Sequence, residues 1–532
     1  MEAPCDGIWQ VEINHEELTR EGIVKKSLFL RNAVILIAFL LFSCAARPPA
    51  TREVRQPGRI GDGIVAINIL QMNDIYELTP VSGGKEGGLA RVATIRKELL
   101  AENPNTLTML AGDLFSPSAL GTAKVDGERL AGKQIVAVMN TLGLDYITFG
   151  NHEFDISEKS FYDRLGESRF TWISGNVLDK RHQRFPGVLE SKVVEIRGAK
   201  GETVRLGILG FTIDSNKAEY VTYKDVLEVA RAQVAAMRGR VDILVALTHL
   251  SVEQDIALAQ AAPGIDLILG GHEHENMQLW RGPDFVPIFK ADANARTVYI
   301  HRLAYDIATR KLSVRSFLKR VTGEVPEDPE TLAAVRHWQE RGYAAFRADG
   351  FQPEQVVAMV PDPLDGLEAS VRNRSTTLTR LIAEALLAAV PGAALSVFNS
   401  GSVRIDDILP PGPLTQYDVI RILPFGGRIC GADIEGGLLR KVLEQGLANR
   451  GKGGFLQASG VTLDKAGWLV NGRPIADGSA YKVAVNEFLI SGKEDGLEYF
   501  SDRNPGVQAA CLENSDIRFV FRDHLQKLYG GR

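Results

Sequence analysis

The chain has 532 residues, 61 Lys+Arg against 66 Asp+Glu for a formal net charge of −5, and 45% hydrophobic residues. That length calls for more than one domain, each with apolar content enough for its own core. The near-balanced charge, without a long basic run, argues against a binder of nucleic acid polymers, while a small anion needs only local positive charge.

Residues 25–44 read as a targeting segment. Lys25, Lys26 and Arg31 form a basic start, and 33–42 is an apolar stretch too short for a comfortable membrane span. It closes on Leu41-Phe42-Ser43-Cys44-Ala45, which resembles a bacterial lipoprotein signal with Cys44 as the lipidated residue. The expectation is an exported protein, periplasmic or in the cell envelope, touching the membrane only through a lipid at Cys44. Glu16, Glu17 and Glu21 precede the basic start and carry no targeting logic, so initiation is expected near Val24. Residues 45–62, with Pro48, Pro49 and Pro57, read as an extended tether. With Cys5 and Cys44 in the leader 1–62, Cys430 and Cys511 remain, either as a pair in an oxidising compartment or as two separate buried thiols.

From residue 63 the pattern is that of an α/β protein. The run 64–72 is mostly apolar, as a strand covered on both faces should be, and ends on Asn73-Asp74. Gly87-Gly88 opens a helix with Leu89, Val92, Ile95 and Leu99 on one stripe. The strand 106–111 delivers Asp113, and a helix is expected over 129–142. The run 144–149 ends on Gly150-Asn151-His152-Glu153-Phe154-Asp155. Asn151 offers a neutral oxygen to a metal, and His152 is free for proton transfer or charge stabilisation. Asp155, three residues on, can hold that imidazole in one tautomer. Strands are expected at 172–177 and 204–211. The run 241–247 then delivers His249, and 265–269 delivers His272 and His274 after Gly270-Gly271.

Again and again an apolar strand ends on Asp, Asn or His, where open α/β sheets place their ligands. Carboxylates, an amide and imidazoles together suit a pair of divalent ions, Zn, Mn or Fe. Such a pair activates water and clamps a phosphoryl group. A hairpin at 298–318 closes this domain, 63–322, and a linker helix is expected within 323–350. Beyond it, 351–532 mixes strands and helices with glycine loops. Two phenylalanines on separate loops can sandwich a flat base, arginines can grip its phosphate, and an acid can accept from ribose hydroxyls.

These motifs resemble the two-domain calcineurin-like metallophosphatases of the 5′-nucleotidase and UDP-sugar hydrolase family, from about residue 64 to the C-terminus. The resemblance implies a four-layer α/β/β/α sandwich followed by a smaller α/β nucleotide-binding domain. It implies a dimetal phosphohydrolase acting on nucleotides, with His272 and His274 straddling two ions, Asp113 bridging them, and His152 and Asp155 catalytic. Asp74, Asn151 and His249 complete the expected ligands. In the family the first motif is Asp-x-His; here it is Asp74-Ile75-Tyr76, so Tyr76 stands where a ligand is expected. In the second domain the carry-over reaches Arg372, Asn399, Arg404, Phe455, Phe488 and Asp495. The family's Gly-Gly-Asp-Gly is here one residue longer, Gly492-Lys493-Glu494-Asp495-Gly496, and Ser375 and Thr379 replace the acid and glycine usual after Arg372. Other readings stand beside this one: a nucleotide-binding lipoprotein whose metal site has decayed, or a relative cleaving 2′,3′-cyclic nucleotides or sulfur compounds.

Overall fold

The computed structural model describes residues 63–530 except Ala466. The expected leader, tether and lipidated Cys44 lie outside the described residues.

Two six-stranded sheets build the first domain. Their strands in chain order are β1 (Ile64–Met72), β2 (Thr106–Leu110), β3 (Tyr146–Ile147), β4 (Thr171–Trp172), β5 (Ser191–Arg197) and β6 (Thr203–Thr212). They continue with β7 (Ile243–His249), β8 (Leu267–Gly270), β9 (Met277–Arg281), β10 (Val286–Lys290), β11 (Thr297–Asp306) and β12 (Lys311–Arg320). One sheet runs β12-β11-β1-β2-β3-β4 and the other β9-β10-β8-β7-β6-β5. In the first, β1 to β4 are mutually parallel; in the second, β6, β7, β8 and β10 are.

The period-2 geometry of a strand explains the unbroken apolar runs. In β1, Val65, Ile67 and Ile69 join the core between the sheets, while Leu70 and Met72 face the helices outside. In β7, Ile243, Val245 and Leu247 point inward, and Leu244 and Ala246 outward. Helices Leu89–Glu102 and Lys133–Leu142 cover the first sheet, with Leu89, Val92, Ile95 and Leu99 buried as the stripe requires. Helices Val226–Arg238 and Val252–Ala261 cover the second. The result is a four-layer α/β/β/α sandwich.

Two elements differ from the sequence reading. The helix expected over 129–142 begins only at Lys133, because Ala131 and Gly132, with φ of 42° and 89°, turn the chain first. The strand expected at 172–177 is two short ones: β4 ends at Trp172, and Val177–Asp179 pairs instead with Val221–Tyr223.

Helix Pro329–Ala348, capped by Asp328 accepting from the Thr331 N–H, joins the first domain's core through Val335, Trp338 and Phe346. The second domain is a five-stranded sheet of β13 (Leu395–Asn399), β14 (Arg428–Glu435), β15 (Leu456–Ser459), β16 (Ala480–Asn486) and β17 (Val507–Asp516). Its order is β15-β13-β16-β14-β17. Helices Thr377–Ala389 and Ile517–Tyr529 pack on one face and Gly436–Ala448 on the other. Cys430 on β14 and Cys511 on β17 are in-register partners joined by a disulfide, so the paired alternative is the one adopted.

Candidate metal centre and the cleft beside it

The ends of β1, β2, β3, β7 and β8 converge, and the residues after them turn sharply. Asp74, Asp113, His272 and His274 all have positive φ, 54°, 58°, 92° and 60°. Such backbone is costly for non-glycine residues and persists where the surroundings over-determine it, most often at functional sites. Close approach makes its own demand. A Cβ on Gly150 would lie 2.0 Å from Asp113 Oδ1, and one on Gly112, at φ +79°, would lie 2.6 Å from His249 Nδ1. These glycines let three loops share one small volume.

Ligand atoms of Asp74, Asp113 and His249 all lie within 4.8 Å of one another, and all three residues are buried. His249 Nδ1 lies 2.8 Å from the Ala111 carbonyl, to which it donates, leaving Nε2 3.3 Å from Asp113 Oδ2 and 3.2 Å from Asn151 Oδ1. His272 joins from the side, its ring 5.3 Å from that of His249, while its N–H donates to Asp74 Oδ2. His274 Nε2 lies 3.3 Å from Asp74 Oδ1. Sequence positions spread from 74 to 274 thus form one cluster.

The electrostatics suit cations. Burial pushes Asp74 and Asp113 up, but neighbouring imidazoles outweigh it and hold both carboxyls below their ordinary value. Against the opposing effect of burial, Asp113 and Asp74 push His249 up to about 9, and Asp406 and Asp74 raise His274 well above the ordinary imidazole value. Burial and the neighbouring His249 hold His272 down at about 3, so its lone pair is free. The clustered carboxylates hold protons on two histidines that a bound cation would displace. Carboxylates, an amide oxygen and imidazoles in this arrangement fit divalent ions of the Zn, Mn or Fe type.

Tyr76 sits inside the cluster. Its hydroxyl is 2.9 Å from Asp113 Oδ2, 3.2 Å from Asp74 Oδ1 and 3.0 Å from His274 Nε2. Burial and the two carboxylates raise the phenol well above its ordinary value, so among these groups it stays a neutral donor. Asn294 fixes this turn by accepting from the N–H groups of Tyr76 and Glu77.

On the near side of Asp113, whose Oδ1 accepts the His152 N–H, His152 Nδ1 lies 2.6 Å from Asp155 Oδ2. Asn216 donates to Asp155 Oδ1 and to the Asn151 carbonyl, pinning both halves of the turn. Burial lowers the His152 imidazole, but Asp155 and Asp113 outweigh it and raise it. Glu153 lies within the motif, yet its role was not read from sequence. Its buried carboxylate accepts from the N–H groups of Asp113, Leu114, Phe115 and Gly150, tying the loops after β2 and β3 together. Lys290 does similar work beneath β8, donating to the carbonyls of Gly271 and Leu250 and pairing with Asp255 and Glu273.

The second domain brings some of its expected residues here and not others. A cavity of about 700 Å³ is lined by Asp155 from the first domain and by Asn399, Arg404, Phe425, Phe488 and Glu494 from the second. The Arg404 Nε is buried with no hydrogen-bond partner. Phe455 does not line this cavity: it is only 7% exposed, with the Arg450 guanidinium 5.7 Å over its ring. Phe425, 50% exposed, stands there with Phe488, 46% exposed. Asp495 is exposed and outside the cavity wall, and its neighbour Glu494 lines it instead. Arg372 lies on the other side, in a cavity of about 640 Å³ with His272 and His274, and pairs with Glu368 at 2.5 Å.

Residues 67–276 match the family described as Calcineurin-like phosphoesterase, and 356–502 match the 5′-nucleotidase, C-terminal domain. The chain belongs to the calcineurin-like phosphoesterases that carry a 5′-nucleotidase C-terminal domain. It is 26% identical to the trifunctional nucleotide phosphoesterase protein YfkN of Bacillus subtilis over 88% of this chain, and spans about a third of that relative (34%). It is 24% identical to the 5′-nucleotidase of Vibrio cholerae, covering 95% of this chain and 96% of the other. The crystal structure of a 5′-nucleotidase precursor from Thermus thermophilus superposes with a TM-score of 0.70 at 24% identity, over 87% of this chain and 97% of that one. The family implies divalent metal ions, and the cluster of Asp74, Asp113 and His249 at the strand ends is a candidate site for them.

Proposed function

We propose that this chain is a metal-dependent phosphoric ester hydrolase of the 5′-nucleotidase type, removing phosphate from nucleotides. The observation that carries it is the cavity that Asp155, the partner of His152 beside the metal centre, lines together with Phe425 and Phe488 of the second domain. Asp74, Asp113 and His274 would hold one ion, with the Tyr76 hydroxyl beside it as a neutral donor, and Asp113, Asn151, His249 and His272 the second. When bound, such a pair lowers the pKa of water and offsets charge on phosphoryl oxygens. The chain's own part is orientation and proton control. Asp155 fixes Nδ1 of His152, leaving Nε2 to donate to a phosphoryl oxygen as charge develops on it. Arg404 and Asn399 meet the phosphate and ribose side, and the base enters between Phe425 and Phe488. Glu494 takes the place in the cleft expected of Asp495.

Export to an oxidising compartment fits the disulfide between Cys430 and Cys511. Anchoring through Cys44 remains part of this reading and rests on the sequence pattern alone.

A hydrolysis panel of AMP, UDP-glucose, 2′,3′-cyclic AMP and an aryl phosphate, with metal-replete protein, tests the substrate class. A kcat/KM for AMP well above that for the aryl phosphate is expected. Equal values would remove the second domain from substrate selection.

A further inference from the structure

The second domain does more than line a cleft. We propose that Asp406 is a positioning residue of the metal centre, a carboxylate supplied by the nucleotide-binding domain that fixes His274 for the ion it holds. The inference rests on the metal-centre reading above and extends it across the domain boundary.

Asp406 is 8% exposed and takes a left-handed backbone, φ 41°. Its Oδ2 lies 3.0 Å from His274 Nδ1 and 3.3 Å from Arg296 Nη2, and its Oδ1 accepts the Glu368 N–H at 2.9 Å. Both oxygens are engaged, so the carboxylate has no freedom to swing away. With Nδ1 tied, His274 Nε2 is left between Asp74 Oδ1 and the Tyr76 hydroxyl. A metal-binding imidazole commonly donates its other N–H to a carboxylate or carbonyl, which sets tautomer and ring direction. His249 uses the Ala111 carbonyl of its own domain. His274 draws its partner from the other one.

The segment that carries Asp406 makes this consequential. Within residues 399–407, Asn399 and Arg404 line the substrate cavity, Asp406 holds His274, and Asp407 accepts from the N–H and hydroxyl of Ser82 in the first domain. A ligand gripped by Arg404 and an ion held by His274 therefore act on one short stretch of backbone. Whatever coupling results is reciprocal: substrate strengthens ion binding as much as the ion strengthens substrate binding.

The test is calorimetric titration of Mn²⁺ into the chelator-stripped full chain, comparing wild type with Asp406→Ala, Asp406→Asn and Asp407→Ala. Wild type is expected to take up two ions. Asp406→Ala should weaken one of them by roughly 10–100-fold and leave the other unchanged, the usual cost of losing a partner of a ligating histidine. Asp406→Asn preserves shape and fold and should weaken the same ion by a smaller, several-fold factor. Asp407→Ala disturbs the same domain contact without touching a ligand, so both ions should bind as in wild type. Unchanged affinities in the Asp406 variants, or in Asp406→Asn alone if the alanine variant does not fold, would overturn the proposal. So would an Asp407→Ala defect equal to that of Asp406→Ala, which would make the effect one of domain contact only. Wild-type protein that takes up no ion would instead overturn the metal-centre reading itself.

Discussion

The metal end and the base end of the cleft are built differently. Asp74, Asp113 and His249 sit at the ends of strands packed on both faces, are buried, and are cross-braced by Glu153, Asn294 and Lys290. Phe425 stands on a turn and Phe488 on the short helix Glu487–Ile490 after β16, and both are about half exposed. Groups that must meet an ion within fractions of an ångström come from a scaffold with little freedom, while groups that meet a flat base come from short, half-exposed segments at the surface. Chemistry should therefore fail sharply at one end, and recognition weaken gradually at the other.

Substitutions can break or sharpen that contrast. The largest effect is expected for Asp113→Ala, which removes the carboxylate shared between both sides of the cluster. Metal content should fall and turnover should drop to background, checked by elemental analysis beside a phosphate-release assay. His152→Ala should keep its metal and lose ~10²–10⁴ in kcat, the usual range for a positioned acid–base group. Full turnover in that variant would take His152 out of the reaction.

At the base end, Phe488→Ala and Phe425→Ala should each weaken nucleotide binding by ~1–3 kcal/mol, the worth of stacking on a base, with little change for an aryl phosphate. Phe455→Ala should act the other way round. Its ring is buried, so a loss of ~3–5 kcal/mol in stability is expected, with nucleotide affinity of the folded fraction nearly intact. Denaturant unfolding alongside binding titrations separates the two cases.

The smallest effect probes the scaffold itself. His301 lies in the core between the sheets, bonded to Gln71 Oε1 and Ser316 Oγ, and Gln71 in turn donates to the carbonyl of Gly270 just before the His272 turn. Burial holds His301 down at about 3, below the unfolded value of 6.5. A depressed folded value contributes stability that is complete above 6.5 and lost as pH falls toward 3. Between pH 8 and pH 5 the unfolded chain takes up a proton that the folded one refuses, costing about 2 kcal/mol. His301→Gln should be less sensitive to acid over that interval by about the same ~2 kcal/mol, read from unfolding midpoints at the two pH values.

Much of the metal end was legible in the sequence. A strand covered on both faces is mostly apolar, so a cluster of polar residues at its end marks where the chain leaves the core. Asp74, Asp113, Asn151, His249 and His272 all stand just beyond such runs, and the structure brings them together. What could not be read were partners from elsewhere in the chain: Asn216 on Asp155, Asn294 on Tyr76, Asp406 on His274. Each is an ordinary polar residue in a loop, with no local pattern marking it. The second domain was read less well for a related reason. Phe425 rather than Phe455 faces the cleft, and Glu494 rather than Asp495 lines it. Neither is set by periodicity.

The most direct test of a single site spanning both ends is phosphate release from AMP by chelator-stripped full-length protein as Mn²⁺ is titrated back. No release is expected before metal is added, followed by a rise that saturates at two ions per chain. Hydrolysis indifferent to chelation, or protein that fills with metal and releases no phosphate from AMP or any other nucleotide, would contradict it.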